Sequence, residues 1–246
     1  QNYIIEKKIN LLNFYLKRFK RIIPNLFFII GITYIFYSIF GPPNLSLWNE
    51  TISGLFGFSN FYYLFNKKGY FENIFEDPLA HTWSLGVEEQ FYLFYPLLIF
   101  LIYSLKSNKH LILNIILILI FCFSLFFYKE GIKTNPTFTF FFSPLRFWEF
   151  IFGGLLFFYS HKIKKSDFLS IVCLLIIAYL IFNTKSYDFF WLNLSIIILS
   201  GFFIVFFDKF TFVENKIFVY FGNISYSFYL WHLPVIFFLD LYVQNI

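Results

Sequence analysis

One feature recurs along this chain and leaves it few ways to fold: stretches of about 20 apolar residues, the length a helix needs to cross a bilayer, divided by short polar connections. They fall at 24–40, 83–105, 110–128, 138–160, 166–183, 189–207 and 217–240, seven in all. The bilayer interior offers the backbone no water, so each stretch is expected to be helical. With 59% apolar and only 13% charged residues among 246, an ordinary soluble domain is excluded. The expected architecture is all-α: a polytopic transmembrane helix bundle forming a single domain over 1–246.

The ends of the spans refine this expectation. In residues 1–21, Ile5, Ile9, Leu12, Leu16 and Phe19 recur three or four apart, with Lys7, Lys8, Lys17, Arg18, Lys20 and Arg21 between them. Such a segment suits a basic helix lying in the membrane interface. The first span then occupies 22–40 and ends at Gly41-Pro42-Pro43, since proline cannot continue a helix. An outer loop follows over 41–82, and the remaining six spans form a bundle over 83–246. Within the loop, 51–65 is apolar but short and holds Gly54, Gly57 and Asn60, so it reads as in-plane or re-entrant. If 1–21 is cytoplasmic, the connections at 106–109, 161–165 and 208–216 share its side, which then carries 13 Lys and Arg against 5 outside. That asymmetry favours this orientation for a multi-pass chain with residues 1–21 cytoplasmic.

The net charge of +5 follows from basic residues at span ends, which argues against a nucleic-acid partner. The 43 Phe, with abundant Ile, Asn, Lys and Tyr, match an AT-rich coding sequence, so aromatic richness alone marks no site. Cys122 and Cys173 sit inside apolar spans as packing residues, and nothing in their spacing suggests a metal. The chain lacks Met and opens at Gln1, so it reads as a fragment whose initiating end is missing.

Three polar clusters interrupt the apolar spans at similar depth. His81, Trp83, Ser84, Glu88, Glu89 and Gln90 run into the second span, with Ser84, Glu88 and Tyr92 on one face. Paired carboxylates there cost several kcal/mol unless they meet a wet cavity or a partner, which marks a functional site; the plainer reading is a solvated pair at headgroup level. Next, Ser143 to Glu149 places Arg146 and Glu149 three apart, as an internal pair or as a charge offered to Glu88 or an anionic substrate. Below it, Gly153-Gly154 would let a neighbouring helix approach closely. Finally, Ser225, Tyr229 and His232 form one stripe of hydroxyl, phenol and imidazole, suited to acid/base work unless His232 is only a packed, hydrogen-bonded residue. At the basic end, Arg18 and Arg21 suit either the phosphates of a nucleotide-like donor or anionic lipid.

The run from His81 to Leu93, HTWSLGVEEQFYL, resembles the signature of the acyltransferase-3 family, integral membrane O-acyltransferases that include bacterial O-antigen and peptidoglycan O-acetylases. Other segments match in order: Arg18-Phe-Lys-Arg21 ahead of a span, Phe58 to Asn60 through Gly69-Tyr70-Phe71, Arg146-Phe-Trp-Glu149 with Gly153-Gly154, and Ile224 to Pro234. The resemblance implies transfer of an acyl group, usually acetyl from acetyl-CoA, to a hydroxyl of a cell-envelope glycan such as O-antigen, peptidoglycan or exopolysaccharide. No permanently bound cofactor is implied. Carried onto these residues, it assigns Arg18 and Arg21 to the donor, Glu88 to orienting a histidine, Arg146 to electrostatic stabilisation, and His232 with Tyr229 to the acceptor; His81 and Glu149 join them as site candidates. Family members begin with two further helices, the first carrying an arginine and then a histidine, so this stretch alone is expected to lack that histidine. Many also carry an esterase-like domain, in the same chain or separately. A transporter or flippase also lines its path with Glu, Arg and His, but no inverted repeat is visible here. A non-catalytic membrane scaffold is the remaining reading.

Overall fold

The structure is a computed structural model that describes residues 11–42, 47–66, 77–104, 108–207 and 215–244. Residues 1–10 of the expected interfacial helix, Gly69-Tyr70-Phe71 of the outer loop and most of the 208–216 connection lie outside the described residues. Among those described the fold is all-α, and they divide into two compact units.

The first unit holds the described residues within 1–109, 140–143 and 224–246. Its helix α1 (Leu11–Phe40) runs for 30 residues straight through Pro24, so residues 11–21 continue the first span instead of lying apart from it. Proline removes one hydrogen bond within the helix. That loss is outweighed by a stripe on both sides of Pro24: Ile22, Leu26, Ile29 and Ile30 pack with Leu79, Leu85 and Leu230 in one buried cluster. The in-plane segment is resolved as α2 (Leu47–Leu55) and α3 (Ser59–Asn66), neither long enough to cross. Between them Gly57 adopts φ 71°, a conformation that other residues rarely take.

Helix α4 (Thr82–Ser104) follows, entered through a turn at residues 78–81. It is bolted to α3 by polar contacts. Asn60, fully buried, donates to Ser143 Oγ at 2.9 Å and to the Phe141 carbonyl at 3.0 Å, while Gln90 Nε2 donates to Asn60 Oδ1 at 2.8 Å and to the Gly57 carbonyl at 3.1 Å. Ser143 and Gln90 also share a hydrogen bond. Gly86 makes this approach possible, because a Cβ there would lie 2.8 Å from Asn60 Oδ1 and 3.0 Å from the Gly57 carbonyl.

The second unit holds the described residues within 110–139 and 144–223. It contains nearly all of α5 (Lys109–Thr134), most of α6 (Pro136–Phe141), α7 (Phe147–Tyr159), α8 (Asp167–Phe182), α9 (Phe189–Phe206) and the start of α10 (Lys216–Gln244). The stretch read as one span over 138–160 is divided: α6 ends at Phe141, a 3-10 turn covers Ser143–Arg146, and α7 begins at Phe147. Pro144 explains the break, since it donates no backbone hydrogen bond and disfavours helix at Ser143. The opening of α7 is satisfied from elsewhere. Ser124 of α5 donates to the Pro144 carbonyl at 2.8 Å and accepts from Trp148 N at 3.1 Å, acting as a cap supplied by another helix. Ser166 and Asp188 cap α8 and α9.

By length and composition, α1, α4, α5, α9 and α10 can each cross a membrane; α8, at 16 residues, is shorter, and α7 has 13. Large apolar side chains remain exposed along them, Phe182 at 88%, as expected of surfaces facing lipid. The protein is a multi-pass membrane protein built as an all-α helix bundle.

Candidate functional site

In the first unit, α4 carries a polar ladder along one face. Deepest are Tyr92 and Glu88, met by Arg18 of α1. Arg18 donates to Glu88 Oε1 at 2.9 Å, lies 3.9 Å from Glu89, and covers the Tyr92 ring. A carboxylate on an apolar helix thus has a guanidinium partner and a half-covered setting. The resemblance assigns both arginines to donor phosphates; in the structure Arg18 is drawn to Glu88, and Arg21 stays at the surface.

One turn towards the start of α4, Ser84 hydrogen bonds with the Tyr229 hydroxyl, which also donates to the His81 carbonyl at 2.6 Å. The His81 ring sits 5.1 Å from that of His232 and 5.4 Å from that of Tyr229, centroid to centroid. Nδ1 of His232 lies 2.5 Å from the Tyr229 carbonyl. A carbonyl only accepts, so Nδ1 carries a hydrogen, which leaves Nε2 as the lone-pair nitrogen of the neutral ring. His81 is 5% exposed. Burial first, and then the nearby His232, push its pKa down to about 4, with Asp77 and the backbones of Leu230 and Pro78 pulling the other way. His81 is therefore a neutral imidazole at pH 7.

Behind His81 stands an acidic layer that sequence reasoning did not single out. Asp77, 3% exposed, accepts from Tyr63 OH at 2.6 Å and from Leu79 N at 2.9 Å. Burial, and then Asp77 and Glu50, hold the Tyr63 phenol well above its usual range, so it stays protonated and donates. Glu50 itself is 1% exposed on α2. The signal that marks Glu88, a carboxylate in an apolar stretch, is equally present at Glu50 in LWNETISGLFGF. Asp77 and Tyr63 offered no such signal, because only the fold brings them together.

The second unit holds Arg146 and Glu149. Arg146 grips Glu149 with both ends of its guanidinium, Nε to Oε1 at 2.9 Å and a terminal nitrogen to Oε2 at 3.0 Å. The internal pair that the spacing allows is formed. Among the described residues no group of three or more His, Cys, Asp and Glu side chains is placed to hold a metal ion.

A family model described as an acyltransferase domain matches residues 3–246. The chain belongs to this acyltransferase family. Among the acyltransferases it resembles, O-acetyltransferase OatA of Staphylococcus aureus strain NCTC 8325 is 30% identical over 98% of this chain and 43% of the relative. Peptidoglycan O-acetyltransferase OatA of Listeria monocytogenes is 26% identical over 94% of this chain and 40% of its own. An uncharacterized protein of Haemophilus influenzae is 31% identical, with 73% of this chain and 77% of that protein aligned. The chain thus spans less than half the length of the two OatA relatives. No solved structure matches it.

Proposed function

We propose that the protein is a membrane O-acyltransferase that moves an acyl group, acetyl by preference, from a cytoplasmic acyl-CoA to a hydroxyl of a cell-envelope glycan. The observation that carries this reading is the imidazole pair beside Tyr229. His232, on α10, has its Nδ1 committed to a carbonyl and its Nε2 available as a base, in the same unit as the Arg18–Glu88 pair of α1 and α4. The acceptor hydroxyl gives its proton to Nε2 of His232 as its oxygen bonds the acyl carbon; the bond from that carbon to the group that carried the acyl breaks, and His232 passes the proton to that group as it leaves. Tyr229 and Ser84 position the acceptor, and neutral His81 packs beside His232. Glu88, held by Arg18, is the residue to which the family likeness gives the orientation of a histidine; Arg21 remains for donor phosphates, and Arg146, clasped by Glu149, for electrostatic stabilisation.

The names of the OatA relatives favour acetyl as the group transferred, and that of the Listeria protein favours peptidoglycan among the envelope glycans. The distribution of Lys and Arg favours residues 1–21 lying in the cytoplasm, and the bacterial sources of the OatA relatives favour a bacterial inner membrane. A further esterase-like domain, in the same polypeptide or a separate one, would complete the transfer outside. The test is glycan O-acetylation in a strain whose own gene is deleted and which expresses the full-length protein. His232→Gln is expected to lower it by about 100-fold or more, as loss of a general base does, and Glu88→Gln to lower it as well. Full acetylation by either variant at equal expression removes that residue from the mechanism.

A further inference from the structure

A cavity of about 340 Å³ opens in the second unit between α7 and the end of α9, at the lower end of the range for ligand pockets. Leu156 and Phe157 of α7 and Ile204 and Val205 of α9 form its apolar walls, and His161 and Lys165 stand at one end. Its origin is a glycine. A Cβ at Gly153 would meet nothing within 4 Å, so the missing side chain leaves open space on the α7 side. A close helix approach occurs at Gly201, where a Cβ would lie 2.5 Å from Leu156 and 2.8 Å from Phe152. The two helices are thus pressed together at Gly201 beside a cavity that Gly153 leaves empty.

The basic end of the cavity is built into the fold. The connection from α7 to α8 carries His161, Lys162, Lys164 and Lys165, against the single carboxylate of Asp167. It is tied to the end of α9 by Ser166 N donating to the Phe206 carbonyl at 2.8 Å, and Ser170 of α8 donates to the Phe203 carbonyl at 3.0 Å. Phe157 and Ile204, at the cavity, are 50% and 70% exposed, apolar surface at a lipid-facing edge. An apolar slot ending in a cationic loop at a helix end matches one kind of occupant: a hydrocarbon chain bearing an anionic phosphate head.

We propose that this cavity is a binding site for an anionic phospholipid, one acyl chain lodged along Gly153 and its phosphate held by Lys165 and His161. The site is separate from the proposed transfer chemistry and stands or falls without it.

The experiment uses the full-length protein purified in detergent, with bound lipid read by native mass spectrometry. Phosphatidylglycerol is expected to stay bound through detergent exchange and phosphatidylcholine to be lost. Glycerol 3-phosphate, a head without a chain, should not displace phosphatidylglycerol. Gly153→Leu fills the slot and should abolish retention. The double variant His161→Gln, Lys165→Gln keeps the slot and should weaken binding about fivefold or more, the loss expected for a cation near an anionic head. Equal retention of the two lipids, displacement by glycerol 3-phosphate, or undiminished binding by the double variant overturns the proposal. Should Gly153→Leu fail to fold, the double variant decides alone.

Discussion

Tyr229 holds two parts of the site in place with opposite ends of the same residue: its hydroxyl donates to the His81 carbonyl, and its own carbonyl selects the His232 tautomer. At the same scale His81 makes stability depend on pH. In the unfolded chain it takes up a proton below about 6.5, its ordinary value, and in the folded protein only below about 4. Between those values the unfolded state holds more protons, so stability falls as pH drops, by about 3 kcal/mol in all, and is fully restored above the upper value. Thermal unfolding in detergent from pH 7.5 to pH 4 should therefore show a steeper loss for the wild type than for His81→Gln. Parallel curves would mean that His81 is not held neutral by the fold. The residues of this site were unevenly legible. His81, Ser84, Glu88, Tyr229 and His232 stand out as polar groups in apolar runs, whereas Asp77 and Tyr63 acquire meaning only through the turn that buries them.

At the scale of elements, the joint between α3 and α4 rests on Asn60 and Gly86. Asn60→Ala leaves the Phe141 carbonyl and the Gln90 amide without that partner, in a buried setting, and is expected to cost about 1–3 kcal/mol. Gly86→Val should cost more, because its side chain would strike both Asn60 and the Gly57 backbone. Melting temperatures of the two variants, set beside Asn66→Ala on the exposed end of α3, check this; equal values for all three would show that the joint carries no weight. Element boundaries were readable where apolar length alone sets them, as in 83–105 against Thr82–Ser104. At prolines they depart from expectation: packing on both sides of Pro24 carries α1 through it, while Pro144, inside the expected 138–160 span, divides α6 from α7, with Ser124 of another helix capping the second piece.

For the whole molecule, orientation is the property that charge distribution predicts. Lys164 and Lys185 flank α8 and should lie on opposite sides of the membrane. With Cys122 and Cys173 replaced by serine, Lys185→Cys should react with an impermeant maleimide in intact cells, and Lys164→Cys only after permeabilisation. The opposite pattern inverts the topology, and labelling of both from outside removes α8 as a crossing. The seven apolar stretches decided that this is an all-α membrane protein, and the ordered motifs from Arg18 to Pro234 decided its family, because hydrophobic length and local residue order are written along the chain. Tertiary structure alone decided which polar groups meet. Arg18 and Glu88 are 70 residues apart, and Ser84 and Tyr229 are 145 apart. Such pairings follow from how helices pack, and the energy that selects them comes from burying many apolar side chains at once, which no local stretch encodes.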